Sequence, residues 1–452
     1  MSKELEEAQE QLEKHLSGEI ELSSADLAEY LKDVKNSGDG EHYAEYLEKM
    51  DTEDLGDVAM ELPDHMLKDV IETLPENKIV EALEGLESDD ATDLLQNIEE
   101  IDETKAQQLF DSLELDSQKE ISKLINYEEN EAGAYMQTEL FSARMDEKLS
   151  VAIGRFRKMK KSGEIENIFQ LFVVDKEGVL RYALPIDDLL LYDFDRRLND
   201  IIAGNEDEYK PHSALDTQDI GEVAEIVKDY DLSAVAVVNK AGVLLGRITV
   251  DDIHDFIEES ATEQIYNLAG LDDEAESEET VAQAGKSRAA WLLVNLFTAL
   301  ISSFIIGLFD ETIAAYVALA VLMPIVASMG GNTGTQALTV TVRRLATHDI
   351  EFADFKKVLL REGAIAVSNG LIFAVLMGIV AYFWFHKPML GVVIAASMLI
   401  NLTMAGLCGT LIPLALKRAG IDPAVGSSVL LTTVTDVVGF FSFLGLAKWI
   451  LL

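Results

Sequence analysis

Cysteine occurs once in 452 residues, at Cys408, histidine seven times, and Lys plus Arg number only 36 against 81 Asp plus Glu. Each scarcity excludes something. One thiol cannot close an intramolecular disulfide, so a disulfide-stapled secreted scaffold is ruled out. Without a Cys or His cluster, metal chemistry must rely on oxygen donors, which select hard cations such as Mg²⁺, Ca²⁺ or Mn²⁺ over zinc or copper. The shortage of cations is also local: residues 1–287 hold 73 acidic and 26 basic side chains, whereas residues 288–452 hold 8 and 10. A front of net charge −47 repels phosphate backbones and suits cationic partners, which excludes a nucleic-acid role.

What the back half has is apolar length. Stretches free of Asp, Glu, Lys and Arg run from Ala289 to Phe309, Ile313 to Val342, Gly363 to Phe385 and Met389 to Leu416, and a fifth, Pro423 to Ala447, is interrupted only by Asp436. About 20 apolar residues span a bilayer as a helix, so five transmembrane helices are expected. A large soluble core would need polar faces that these segments lack. Basic residues gather after the second span (Arg343, Arg344, Lys356, Lys357, Arg361) and after the fourth (Lys417, Arg418). Those connections are expected on the cytoplasmic side, with residues 1–287 inside and the C-terminus outside. The charged start, MSKELEEAQEQLEKHL, has no signal-peptide core, so the first span is expected to direct insertion.

The front half contains a 12-residue period from Leu62: LPDHMLKDVIET, LPENKIVEALEG, LESDDATDLLQN. The sixth, ninth and tenth positions of each copy are apolar, a spacing that makes one helical face, and Pro63 and Pro75 suit helix starts. Short helices with one apolar face must stack, which predicts a small superhelix ending near Gly133. The pattern then changes to strand, glycine turn, strand, helix, twice. The first copy is Phe169–Val174 with DKEG and Val179–Leu180, the second Ala234–Val238 with NKAG and Val243–Leu245. These two copies resemble a tandem pair of cystathionine-β-synthase-like (CBS) domains, modules that sense adenine nucleotides or ions. GRITVDD (246–252) is the better match, and Pro185 of RYALPIDD stands where Thr or Ser is usual. Thr249 and Asp252 have the spacing that in CBS relatives holds a nucleotide's phosphate and ribose, so ATP is a candidate ligand there.

Beyond Asp251 an acidic helix is expected, with Asp252, Asp255, Glu259 and Glu263 at i, i+3, i+7 and i+11 on one stripe, either a cation-responsive face or a solvated one. DDEAESEE (272–279) reads as an acidic turn. In the membrane half, Asp436 is the one ionisable group deep in an apolar span, a placement that costs a few kcal/mol unless the carboxylate faces water or a cation. The alternative is a structural carboxyl held by Thr432, Thr433 or Thr435. Pro324 and GGNTGTQ (330–336) predict a broken helix in the second span, with Asn332 and Gln336 presenting neutral oxygens. Close packing through Gly330, Gly331 and Gly334 is the other reading. Asn401 suits an interhelical hydrogen bond or a pore oxygen. One carboxylate per pore is too few to strip the waters from Mg²⁺, so a site for the hydrated ion fits, and a symmetric dimer would double the charge.

PIVASMGGNTGTQ (324–336), IPLALKRAGIDPA (412–424) and TTVTDVVGF (432–440), with the repeats and the CBS pair, resemble the MgtE family of bacterial magnesium channels over nearly the whole chain. The resemblance implies that Asp436 is the Mg²⁺-binding aspartate of the pore, and that Asp231, Asp252, Asp255 and Glu263 belong to cytoplasmic Mg²⁺-sensing clusters partnered by acids near Asp90. Val429 stands where many relatives have Pro, a departure that bears on the pore wall, and Ser260 and Gln264 stand where acids are frequent, which implies fewer or weaker sensing sites. The expected fold is a multidomain membrane protein: an all-α superhelical N-terminal domain (1–133), an α+β CBS-domain pair (134–250), an acidic connecting helix (251–287) and a five-helix all-α transmembrane domain (288–452). The expected function is a homodimeric inner-membrane Mg²⁺ channel, closed by cytosolic Mg²⁺ at the acidic sites. The rivals are a CBS-regulated secondary carrier and a non-conducting membrane sensor; a membrane enzyme would need a nucleophile or metal cluster near the spans, where only Asp436 stands, with His348 and His386 in connections. A halophile's acidic surface would also account for the charge.

Overall fold

The computed structural model describes residues 3–38, 40–163, 165, 167–271, 281–346 and 355–452; the acidic run 272–279 and His348 lie outside them. Contacts divide the chain into two units, Met1–Glu258 and Glu259–Leu452.

The first unit opens with short helices: α1 (Lys3–Leu16), α2 (Ser24–Asn36), α3 (Gly40–Lys49), α4 (Thr52–Met60), α5 (Asp64–Thr73), α6 (Glu76–Gly85), α7 (Ser88–Ile101), α8 (Glu103–Ser112) and α9 (Leu115–Leu124). Helices α5, α6 and α7 are the three repeat copies. Their predicted faces, Leu67, Val70 and Ile71, Ile79, Ala82 and Leu83, Ala91, Leu94 and Leu95, are all buried in one continuous core. Helices of this length are marginal alone, so this shared burial holds them. Polar ends are satisfied locally, as a basic side chain at a helix C-terminus can do. The Lys78 ammonium donates to the carbonyls of Leu47 at 2.9 Å, Glu48 at 2.7 Å and Met50 at 2.6 Å, at the end of α3.

Two three-stranded sheets follow, built alike. The first CBS copy contains β1 (Ser142–Arg144), α10 (Leu149–Ser162), β2 (Gln170–Val174), β3 (Leu180–Pro185) and α11 (Ile186–Leu189), and after α12 (Leu198–Ile202) the second contains β4 (Ser213–Leu215), α13 (Ile220–Asp229), β5 (Ala234–Val238) and β6 (Leu244–Thr249). In each sheet the first strand is parallel to the second and the second antiparallel to the third. The turns match: Asp175 accepts from the N–H groups of Glu177 and Val179, Asn239 from those of Ala241 and Val243, and Gly178 and Gly242 take φ of 81° and 78°. The turns also pair with each other, Leu180 N–H to Gly242 O at 2.9 Å and Leu244 N–H to Gly178 O at 3.1 Å. Helix α14 (Val250–Ala269) follows β6, and the division between units falls inside it.

The second unit contains α15 (Val281–Gly307), α16 (Asp310–Ala315), α17 (Ala318–Ala346), α18 (Phe355–Phe385), α19 (Pro388–Arg418) and α20 (Ser427–Leu451). By length and composition four described helices can cross a membrane: Ala284–Gly307 within α15, α18, α19 and α20. Helix α17, the second expected span, has 29 residues. Its length is therefore about 43 Å. The polar middle of GGNTGTQ sets it apart from the other four. Helix α19 is the centre of the bundle, packing on α17, α18 and α20. The apolar side chains of α15 and α18 that face away, among them Leu293, Phe297, Phe304, Ile372 and Phe383, are exposed, as lipid-facing positions require.

The expected break in the second span is corrected: α17 runs as one helix through Pro324 and the glycines. Close approach of neighbours explains it. A Cβ at Gly330 would lie 2.3 Å from the Asn401 side chain, one at Gly334 2.9 Å from Leu431, and one at Gly409 2.5 Å from the Gly334 carbonyl oxygen. The glycines are therefore the packing surface of α17 against α19 and α20. Gly331 faces open space. Gly409→Ala and Gly334→Ala should each lower the unfolding free energy of the purified chain by roughly 1–3 kcal/mol through overpacking, whereas Gly331→Ala should be neutral or stabilising because Ala favours helix. Equal melting temperatures for the three variants would contradict this packing.

Candidate functional site

The third repeat copy starts its helix at the same repeat position as the other two, Ser88 matching Asp64 and Glu76, but differs in what meets that start. Helix α7 carries Asp89 and Asp90 in its first turn, where the positive end of the helix dipole favours carboxylates. The side chains of Ser88 and Glu87, just before them, reach the CBS pair: Ser88 Oγ donates to Glu139 at 3.0 Å and accepts from the Thr138 N–H at 2.9 Å, and Arg247 Nη2 donates to Glu87 at 3.3 Å. Asp89 is thereby buried, 4 % exposed, and its Oδ1 has no hydrogen-bond partner.

Asp252 enters the same junction from the start of α14. Its Oδ2 accepts from the Thr249 hydroxyl (2.6 Å) and N–H (3.0 Å), a cap on the helix that Thr249 precedes. Burial, then the charges of Asp252, Asp90 and Glu87, push the Asp89 carboxyl well above its ordinary range. Burial, then Asp252, Asp93, Asp57 and Asp251, push Asp90 up to about 7. Asp252 is raised by burial against the opposing pull of its Thr249 hydrogen bonds, and Asp255, exposed one turn on, is raised by burial, then by Asp251 and Glu258. Asp89, Asp90 and Asp252 thus form one electrostatic group, and an orphaned buried carboxylate oxygen among like charges fits a cation. Among the described residues no three acids converge as a ready-made ligand set, so a divalent ion would bridge them through its waters.

The other expected regulatory residues are placed differently. Asp231 is exposed at φ 49° just past α13 and is not among the groups acting on Asp89, Asp90 or Asp252. Its left-handed turn is one that Asp tolerates. Glu259 is exposed on α14. Glu263, in the second unit, accepts from Asn267 Nδ2 at 3.3 Å, and the buried Asn267 also lies 3.4 Å from the Asp422 carboxylate. Leu268 beside it packs with Leu338, Leu431 and Ala424, so the end of α14 rests on α17, the α19–α20 turn and α20.

In the bundle, Asp436 is half-buried on α20 and has no hydrogen bond or ion pair among the described residues. Thr432, Thr433 and Thr435 do not hold it; their hydroxyls donate to the α20 carbonyls of Ser428 (2.8 Å), Val429 (2.7 Å) and Thr432 (3.0 Å). Asn332 and Gln336 are exposed on α17. Asn401 resolves as an interhelical bond, donating to the Val326 carbonyl at 2.8 Å, and Cys408 packs in the cluster beneath Leu338. Sequence reasoning missed Asp89, Arg247 and Asn267; a lone Arg in the apolar strand GVLLGRITV was the available signal for the second.

Apolar spanning helices joined to a CBS pair and an acidic helical domain define a multi-pass membrane protein with a large polar front. Residues 323–446 match the family described as a divalent cation transporter (MgtE), residues 22–130 the MgtE intracellular N domain, and residues 208–259 a CBS domain. The chain is 33% identical over 347 residues to the magnesium transporter MgtE of Thermus thermophilus, covering 76% of this chain and 75% of that one. It is 34% identical over 329 residues to that of Enterococcus faecalis, covering 73% and 71%. Among solved structures it is similar to the cytosolic domain of the Mg²⁺ channel MgtE in complex with ATP (29% identity, TM-score 0.47, 52% of this chain and 91% of that one). It is also similar to the soluble part of a magnesium transporter (25% identity, TM-score 0.48, 57% and 99%). The chain belongs to the MgtE family.

The raised carboxyls set a pH dependence. Asp90 keeps its proton up to about pH 7 when α7 is docked and releases it near its ordinary value when free. Docking without divalent ions is therefore strongest at low pH and weakens as pH rises through about 7. In chelator, protease resistance of residues 1–133 should fall as pH rises from about 4 to about 7 and level off above that. The double variant Asp89→Asn, Asp90→Asn should flatten that profile, and an unchanged profile would remove these two acids from it.

Proposed function

We propose that this chain transports Mg²⁺ through a pore in the inner membrane, as a homodimer, and closes when cytosolic Mg²⁺ is plentiful. The observation that carries the transport reading is Asp436, a carboxylate in an apolar helix without a protein partner among the described residues, beside threonines whose hydroxyls are already used. Such a group stays charged only beside water or a cation. Asn332 supplies a neutral oxygen on the exposed face of α17. One carboxylate per chain suits a hydrated ion, and a second chain doubles the charge. The residues 1–287 and the connection at Lys417 and Arg418 lie on the cytoplasmic side in this reading, and the C-terminus outside.

Closure follows from linkage, because Mg²⁺ favours whichever state binds it more. At low Mg²⁺ the carboxylates of Asp89, Asp90 and Asp252 repel and α7 undocks; at high Mg²⁺ the ion bridges them. Asp231, Asp255, Glu259 and Glu263 extend the acidic surface around and along α14. The relatives are magnesium transporters, and the cation preference of the acidic front agrees with that cargo. Adenine nucleotide at Thr249 and Asp252 is a separate proposal. There the nucleotide would take over the hydroxyl that Asp252 now accepts, and calorimetry with ATP on the Asp252→Ala variant tests it.

In liposomes holding the purified chain under an imposed potential, Asp436→Asn should abolish Mg²⁺ uptake while Asp436→Glu retains part of it. Full uptake through the Asn variant would end the pore assignment. In the same assay the wild type should close as internal Mg²⁺ rises, and Asp90→Asn with Asp252→Asn and Asp255→Asn should stay open. A triple variant that closes at the wild-type Mg²⁺ level would place sensing elsewhere.

A further inference from the structure

Among these carboxylates sits a buried cation. Arg247 lies on β6 and is 2 % exposed, the largest fully buried side chain in the described structure. Its backbone pairs with Gln137 in both directions, at 2.8 and 2.9 Å, which fixes the strand to the segment that leads out of the helical domain. Its guanidinium Nη1 donates to the Asn167 carbonyl of the first CBS copy at 2.9 Å, and Nη2 donates to Glu87 at the start of α7 at 3.3 Å. Nε has no partner. One side chain thus holds both CBS copies and the third repeat helix.

A guanidinium buried this far costs several kcal/mol in desolvation unless it is well compensated. The first CBS copy supplies the acceptor for Nη1, and the start of α7 supplies the carboxylate for Nη2. Docking exchanges the water around Nη2 for the Glu87 carboxylate, and that pair offsets the desolvation of the guanidinium. Glu87 stands two residues before Asp89, so the same contact delivers the acidic first turn of α7 to Asp252.

We propose that Arg247 is a positioning residue for the cation-responsive junction: a built-in counter-cation that pins α7 to the CBS pair through Glu87 and so lowers the Mg²⁺ concentration at which the junction closes. The proposal rests on the reading of Asp89, Asp90 and Asp252 as the Mg²⁺-bridged surface. Arg247 supplies a fixed positive charge, Mg²⁺ the variable one. Ser88 with Glu139 and Thr138 gives the pin its direction but not its charge.

The test uses the full chain in lipid nanodiscs and follows protease protection of residues 1–133 against Mg²⁺ concentration, with thermal unfolding measured alongside. Arg247→Met keeps the buried volume without the charge, and its Mg²⁺ midpoint should rise roughly three- to tenfold, the net scale of one ordinary hydrogen bond, which suits a contact to a partly exposed carboxylate. Glu87→Gln, at a partly exposed position and safe for folding, should shift the midpoint less because it removes one repelled carboxylate together with the pair. The double variant should shift no further than Arg247→Met alone, the signature of coupled partners. Arg247→Lys should restore part of the shift. A purely structural role would instead lower the melting temperature and leave the Mg²⁺ midpoint in place. A midpoint within twofold of wild type in Arg247→Met, or single shifts that add in full, overturns the pin. If wild type shows no Mg²⁺-dependent protection, the closure reading fails; the pin is then judged by the fraction protected in chelator, which Arg247→Met must lower.

Discussion

Carboxylates removed from water without a cation are the constraint around which the polar front is arranged. Each ionised group in a low-dielectric setting loses hydration that only a partner can replace. The junction of α7 with the second CBS copy gathers Asp89, Asp90 and Asp252 and supplies one fixed cation, Arg247, through Glu87. In the proposed closure the docked arrangement is conditional: protons, divalent ions or both make up the remaining charge. A protein stabilised only by its cores would have no such dependence. Here the helical domain and the first CBS copy have apolar cores of their own, while Leu124 of α9 packs into the core of the second CBS copy, so apolar burial holds α9 there and the charge condition falls on the start of α7.

The repeats show what could be read from sequence and what could not. Positions six, nine and ten of each copy are buried as their spacing requires, because a 3.6-residue period is a local property. Position four is exposed in the first two copies, as His65 and Asn77, and buried in the third, as Asp89. Nothing in the period distinguishes the third copy. Its burial comes from a contact with residues about fifty and a hundred and sixty positions away, Thr138 and Arg247, and no local pattern encodes such a partner. The same holds for Arg247: its neighbours in GVLLGRITV predict a strand, while its role depends on Asn167 and Glu87. The hairpin of each CBS copy was legible, down to the equivalent Asp175 and Asn239 turns, for the reason that made the repeat faces legible, whereas the three-residue strands β1 and β4 are too short to carry a period and were not expected.

In the membrane half, composition gave the spans and misjudged the course of one of them. Gly330, Gly334 and Pro324 carry two physical tendencies, weakening a helix and allowing close approach, and the first dominates in an isolated segment. In the folded bundle the second prevails. Asn401 of α19 and Leu431 of α20 occupy the space that side chains on α17 would need, and the packing they gain holds α17 helical. Asn401 also donates to the Val326 carbonyl, so a polar residue in an apolar span is used for fixing helices. Asp436 has no comparable structural use. Asn332 and Gln336 likewise have no hydrogen bond among the described residues, so the contrast sets these three apart from Asn401, and Asp436 is the one of the three that carries a charge.

Helix α14 is the element on which both halves of the chemistry meet in sequence. Its first turn contributes Asp252 to the carboxylate junction, held in place by Thr249, and its last turn contributes Asn267 and Leu268 to the cluster formed with Leu338 and Leu431. The helix runs without interruption from Val250 to Ala269, a length of about 30 Å. A helix of that length resists axial compression far more than a loop does, so a change in the charge balance around Asp252 has a stiff route toward Leu268. Leu338 lies on the same helix as Asn332, and Leu431 on the same helix as Asp436, little more than one turn before it. The residues proposed to respond to cations and the residue proposed to meet a permeating one are therefore joined in sequence through α14 and the helices its last turn touches. In the proposed closure, differential cation affinity at the first turn of α14 biases its last turn only to the extent that the same two states differ in the contacts of Asn267 and Leu268, because linkage acts through states that both sites distinguish.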